Sequence, residues 1–317
     1  MPDKVVPRGR ETGACARVND YRSRMTLPVP APRAEGFTTT TAVPLYWRED
    51  GPREAPPVVL LHGGPGAHHD YLYPQMLALA ASHRLITYDQ RGGGRSRTDD
   101  PTPIDWRTQV SDLAAVLREF SLNSPAIVGY SWGGLLAMLY EIERLSAPSQ
   151  PSFGKLVLMS PAPITRAWRM QFESALLERQ RGPVIRSLRE TLTASGLRET
   201  DLEAYRQRSF ELSVAGYFAD PRRAESLTAF RVTAKVQQSI WDSLGDFDLS
   251  EDLRQVSRGL HPTVLVVHGR QDPIPLASAE RVADALHGEL VVLDDCGHVP
   301  YVEQPQLLFD AMLRFLS

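Results

Sequence analysis

Ser131, Asp272 and His298 lie far apart in the chain, but each sits in a short polar or glycine-rich stretch that directly follows an apolar run. Ser131 stands in GYSWGG (129–134) after Ala126-Ile127-Val128, Asp272 in HGRQDPIP after a run ending at Val267, and His298 in DDCGHVPY after a run ending at Leu293. A serine hydroxyl is a weak nucleophile near neutral pH, so an imidazole must take its proton during attack and return it to the leaving group. A carboxylate must fix the tautomer of that imidazole and stabilise its cation. The three residue types match this division of labour. The expected roles are nucleophile for Ser131, general base and acid for His298, and orienting carboxylate for Asp272.

Glycine on both sides of Ser131 removes side chains that would collide in a strained turn, so the hydroxyl is expected to be presented rather than buried. The pattern is the G-x-S-x-G elbow between a strand and a helix, although glycine-rich turns around a serine also occur in phosphate-binding loops. A tetrahedral intermediate needs N–H donors aimed at its oxygen. The amide of Trp132, next after the serine, is one candidate. HGGPG (62–66) is expected to supply the other, from Gly64 or alternatively Gly63.

These residues need a scaffold that brings strand ends together. Short, uniformly apolar runs at 58–61, 84–88, 126–128 and 156–159 read as buried strands of a parallel sheet, preceded by one or two antiparallel strands within 37–47. Residues 106–120 carry apolar side chains at three- and four-residue spacing, the signature of a helix with one buried face. Strand alternating with helix indicates βαβ units, whose ligands bind beyond the strand C-termini. From 161 to 259 the rhythm gives way to Arg- and Glu-rich helical segments, and strands return at 263–268 and 289–293 before a closing helix over 304–316. The expected architecture is an α/β core of residues 35–160 and 260–317 with a helical cap, 161–259, inserted after the sixth strand. Residues 1–34 lack periodicity and are expected to form an N-terminal arm, without chemistry of its own.

With 317 residues, 42% apolar and 23% charged, the chain has the composition of an ordinary globular protein and enough length for a sizeable core. Its net charge of −3 provides no concentrated basic face for nucleic acid. No apolar stretch is long enough to span a membrane, and the N-terminus lacks the apolar core of a signal peptide. Only two cysteines, Cys15 and Cys296, occur, so a disulfide framework is not expected and a cytoplasmic setting is.

The ordered stretches HGGPG, YDQRGGGRS, GYSWGG, HGRQD and CGH resemble the α/β-hydrolase superfamily, in which the order Ser, Asp, His is characteristic. Within it the chain is similar to proline iminopeptidases over roughly residues 37–317. The resemblance implies an α/β-hydrolase fold and a cofactor-free serine hydrolase that works through an acyl-enzyme. It also implies release of an N-terminal, proline-type residue from short peptides, with cap glutamates holding the free amine. Glu173, Glu203, Glu211 and Glu225 are available, but none aligns securely with the family's amine-binding positions. Glu211, Trp168, Tyr217 and Gly63 are taken as substrate-binding candidates. A carboxylesterase or lactonase acting on small acyl esters is the alternative, carbon–carbon bond hydrolysis by the same triad stays open, and a non-catalytic ligand-binding protein on this fold is the reading from another class.

Several neighbours are expected to be structural. His62 braces the HGGPG loop. The pair His68-His69 beside Asp70 lacks further ligands, and no metal is expected. Cys296 lacks an elbow and is read as a packing residue. Asp89 belongs to a turn. Asp294 and Asp295 lie so near His298 in sequence that reaching its imidazole from the side opposite Ser131 is difficult, which favours Asp272. Trp132 is expected to offer an aromatic wall as well as its amide, Tyr130 to stand behind the site, and Phe172, Phe218, Phe230 and Trp241 to join Trp168 and Tyr217 as pocket or cap core.

Overall fold

The structure, a computed structural model, describes residues 29–259 and 263–317. Most of the expected arm, together with Cys15, lies outside the described residues. The element order is β1 (Ala34–Phe37), β2 (Tyr46–Asp50), β3 (Pro57–Leu61), β4 (Arg84–Tyr88), α1 (Trp106–Glu119), β5 (Ala126–Tyr130), α2 (Trp132–Arg144) and β6 (Lys155–Met159). Helices α3 (Arg166–Gln180), α4 (Pro183–Ala194), α5 (Leu197–Thr200), α6 (Leu202–Val214), α7 (Ala234–Leu244) and α8 (Ser250–Gly259) follow. The chain ends with β7 (Thr263–Gly269), α9 (Leu276–Leu286), β8 (Glu289–Leu293), α10 (Pro300–Glu303) and α11 (Pro305–Leu316).

The strands form one eight-stranded sheet in the order β1-β2-β4-β3-β5-β6-β7-β8, antiparallel at β1–β2 and β2–β4 and parallel beyond. Continuous apolar runs form these strands because both faces are covered and the period-2 alternation feeds two cores. Val59, Leu61, Ile127, Leu156, Leu158, Val264 and Val266 join one cluster, with Leu113, Leu135, Leu253 and Val282 from the helices. Val58, Leu60, Val128, Val157, Met159, Leu265 and Val267 join the other, with Leu308 and Met312 of α11. The sheet is thus sandwiched between helical layers. The fold is the α/β-hydrolase fold implied by the motif resemblance, with the helical insertion after the sixth strand.

The register places the functional loops on one edge. Leu61 pairs with Gly129, Tyr130 with Met159, Met159 with Val267, and Gly269 with Leu293. The strands therefore end at a common level, and the turns after β3, β5, β7 and β8 emerge side by side.

The inserted block departs from its expected limits at its end. Helix α8 falls inside the expected cap, 161–259, but it packs on α2 and α9 with Leu253 and Val256 in the sheet-side core. Those apolar side chains are three residues apart on an otherwise charged helix, so only docking on the core buries them. The cap proper leaves and re-enters through a narrow neck. Thr165 and Asp248 form a backbone bridge there, Arg166 N–H donates to the Phe247 carbonyl at 2.9 Å, and Leu249 N–H donates to that of Ile164 at 3.0 Å. Thr165 also caps α3, accepting the Trp168 N–H at 3.1 Å.

Candidate active site

Ser131 occupies the turn between β5 and α2 with φ 52° and ψ −116°, a left-handed conformation that costs a non-glycine residue energy. The turn closes only because its neighbours lack side chains: a Cβ on Gly133 would lie 2.2 Å from the Leu61 carbonyl oxygen, and one on Gly129 2.6 Å from the Gly134 Cα. The Ser131 N–H donates to the Met159 carbonyl at 3.0 Å, and its own carbonyl accepts from Gly134 and Ala162. The side chain thus projects from a turn fixed to both the sheet and the helix.

The three residues singled out by type converge. Ser131 Oγ lies 3.0 Å from His298 Nε2, and His298 Nδ1 lies 2.9 Å from Asp272 Oδ2. The other Asp272 oxygen accepts the Ile274 N–H at 2.7 Å. Burial by itself would raise the Asp272 carboxyl, but the imidazoles of His298 and His268, with the bonds it accepts, hold it below its ordinary value. The carboxylate is thereby kept ionised beside the ring. Asp294 instead pairs with Arg270 at the surface, and Asp295 adopts φ 50° in the turn after β8. The acid and histidine loops are also stitched to each other: Gln271 N–H donates to the Cys296 carbonyl at 2.9 Å and Cys296 N–H to Gln271 Oε1 at 3.0 Å. Cys296 is buried, which pushes its thiol well above the usual range.

Trp132 is the first residue of α2, so its amide has no intrahelical acceptor. The HGGPG loop approaches the nucleophile, since a Cβ on Gly63 would come within 2.9 Å of the Ser131 Cβ. The Gly63 N–H donates to the Tyr71 hydroxyl at 2.7 Å, which leaves the Gly64 amide, at φ 54°, as the better candidate donor for an oxyanion. Behind this loop His62 is fully buried; its Nδ1 donates to the Gly63 carbonyl at 2.9 Å and its Nε2 accepts the Gln90 N–H at 3.0 Å. Burial lowers its pKa to about 4, so it stays neutral and bracing. Gln90 also accepts the Trp132 indole N–H at 2.8 Å. The indole, 1% exposed, packs on Trp241 in the core, so the expected aromatic wall is buried.

The neighbouring acid and histidines are structural. Asp89 accepts the His69 ring at 2.7 Å and the Arg95 N–H at 2.8 Å. His68 Nδ1 lies 3.3 Å from Asp70, whose carboxylate is shared with Arg95.

The cap candidates divide. Tyr217 does reach the triad: its ring centroid is 5.3 Å from that of His298, its carbonyl accepts the His298 N–H at 2.7 Å, and burial pushes its phenol up to about 12. Phe172 stands 6.2 Å from the same imidazole, and the Tyr130 hydroxyl donates to the His298 carbonyl at 3.0 Å. Glu211 does not meet its expected role. It is buried and bonded to Arg208 at 2.6 Å and Gln207 at 3.1 Å, so its charge is already matched. Trp168 is half-buried against the sheet-side core cluster. Of the other glutamates, Glu173 pairs with Arg169 at 2.8 Å and Glu225 lies 3.8 Å from Arg208, whereas exposed Glu203 lines a cavity of about 1880 Å³ between cap and core. The triad does not line that cavity. Phe230, which does, packs 4.4 Å from Tyr71, the residue that holds Gly63.

Tyr71, Gln90 and Glu303 join the site although none is singled out from the sequence. Gln90 lies inside YDQRGGGRS and is within reach of that motif; Tyr71 acts through a tertiary approach that no local pattern marks.

Residues 58–311 match the alpha/beta hydrolase family. A proline iminopeptidase of Lactobacillus helveticus is 42% identical over 99 residues, 30% of this chain and only 34% of that protein's length. The proline iminopeptidase of Lactobacillus crispatus is 25% identical over 283 residues, covering 86% of this chain and 94% of that one. A solved proline iminopeptidase-related protein from Thermus thermophilus superposes with a TM-score of 0.67 at 21% identity, over 89% of this chain and 96% of the other, a likeness of fold. Among the described residues no helix is long and apolar enough to cross a membrane.

Proposed function

Since the chain belongs to the alpha/beta hydrolase family, we propose that it is a serine hydrolase in which Ser131, His298 and Asp272 form and break an acyl-enzyme. The observation that carries this reading is the unbroken line from Ser131 Oγ through both ring nitrogens of His298 to Asp272, at 3.0 and 2.9 Å. His298 Nε2 takes the hydroxyl proton as Oγ attacks the substrate carbonyl, while Asp272 holds the Nδ1–H and stabilises the imidazolium. The amides of Trp132 and Gly64 receive the oxyanion. Collapse returns the proton from Nε2 to the departing amine or alcohol, and a water, deprotonated by the same nitrogen, releases the acyl group.

The leading substrate reading is release of an N-terminal, proline-type residue from short peptides. The similarity to proline iminopeptidases supports it. Pairing of Glu211 with Arg208 supports the second reading, hydrolysis of small neutral acyl esters, because an amine leaving water needs an unmatched carboxylate. A cytoplasmic setting belongs to the same proposal.

The test is fluorophosphonate labelling followed by substrate comparison. Wild type should label and Ser131→Ala should not; a folded wild type that stays unlabelled removes the serine mechanism. Turnover of prolyl-arylamide then favours the peptidase, whereas fast cleavage of short acyl esters with none of the amide favours the esterase.

A further inference from the structure

We propose that Glu303 is a positioning residue through which the cap sets the placement of His298; this rests on the reading of His298 as the proton carrier. Glu303 lies in α10, 3% exposed, and its two carboxylate oxygens serve two separate segments. Oε2 accepts the N–H of Gly297, the residue before His298, at 2.7 Å. Oε1 accepts the N–H of Ala219, in the cap segment between α6 and α7, also at 2.7 Å. One side chain therefore clamps the histidine loop to the cap.

Other contacts make this a seam. His298 N–H donates to the Tyr217 carbonyl at 2.7 Å, and the cap residue Arg223 donates to the carbonyls of Val302 and Glu303 at 2.7 Å each. The approach is close enough that a Cβ on Gly297 would lie 2.3 Å from the Tyr217 carbonyl oxygen. From the core the loop is held through the Tyr130 hydroxyl on the His298 carbonyl and through Gln271 on Cys296. The backbone on either side of the imidazole is thus anchored partly to the sheet and partly to the cap.

The chemical type at 303 fits this purpose. Burying a carboxylate is costly, and among the described residues no guanidinium forms an ion pair with this one, Arg223 spending its donors on carbonyls. Only an ionised carboxylate presents two acceptor oxygens to two fixed N–H groups. Glutamine would satisfy one and set its NH₂ against the other. Burial also raises the Glu303 carboxyl, against the pull of the amides of Ala219 and Gly297.

Glu303→Ala and Glu303→Gln in the full-length chain test the inference. Displacing a catalytic group by an ångström is worth up to about 100-fold in rate, so fluorophosphonate labelling of Ser131 should slow about 10- to 100-fold in Glu303→Ala, with KM little changed. Glu303→Gln, which keeps one acceptor, should recover part of the loss. The low-field proton resonance of His298 Nδ1 should shift or broaden in the same order. Wild-type labelling rates in both folded variants overturn the inference. A wild type that never labels defeats the hydrolase reading instead, and the resonance then decides alone: unmoved in both variants it overturns the role of Glu303, displaced it supports it.

Discussion

Asp272→Asn keeps the shape of the side chain and removes its charge. Its consequence follows from two neighbours. Ile274 N–H, 2.7 Å from Oδ1, is a backbone donor and can only face an oxygen. The asparagine carbonyl must therefore take that side, which leaves the NH₂ group opposite His298 Nδ1, now 2.9 Å from Oδ2. Nδ1 becomes an acceptor and the ring proton moves to Nε2, 3.0 Å from Ser131 Oγ. An imidazole already protonated at Nε2 cannot accept the serine proton. The opposite amide flip offers no escape, since it sets two donors against each other at Ile274. Loss of the correct tautomer in a triad costs about 10⁴-fold in kcat, or about 5 kcal/mol of barrier. The assay is kcat on the best substrate found, with circular dichroism to establish folding. Asp294→Asn serves as the control, because that carboxylate is spent on Arg270, and it should turn over normally. A folded Asp272→Asn enzyme within tenfold of wild type refutes the assigned tautomer and the role given to Asp272.

Two further outcomes are expected. Tyr71→Phe removes the only acceptor described for the Gly63 N–H, so urea denaturation should reveal a loss of about 1–3 kcal/mol and turnover should fall with it; unchanged stability means the amide finds another partner. His62 has a native pKa of about 4 against an ordinary 6.5, so between these values the unfolded chain binds the extra proton; the stability it confers is full above 6.5 and falls by about 3 kcal/mol as pH drops toward 4, a slope His62→Gln should flatten in pH-dependent denaturation.

Much of the scaffold is readable because its inner strands are buried on both faces: β4 coincides with the apolar run at 84–88, and the functional stretches sit where such runs end. Ser131, Asp272 and His298 can be picked out from residue type and position at strand ends, although their separations need coordinates. The cap is less transparent. Its helices are half-exposed, and α3 buries no residue, so periodicity gives little hint of what faces the site. The fate of Glu211 does carry a local signal, an arginine three residues earlier on the same helix. The docking of α8 on α2 and the reach of Glu303 to Ala219 are tertiary approaches, which a linear pattern does not encode.

The neck at Thr165 and Asp248 has a bearing on how such proteins diversify. Because the outgoing and returning segments already touch there, everything from 166 to 247 hangs from the sheet like a cassette whose two plugs share one socket. A replacement of other length or composition need only reproduce that pair of crossings to leave the strand register undisturbed. New chemistry of recognition can thus be grafted without rebuilding the machinery beneath, provided the incoming piece also supplies a backbone donor where Ala219 now meets Glu303.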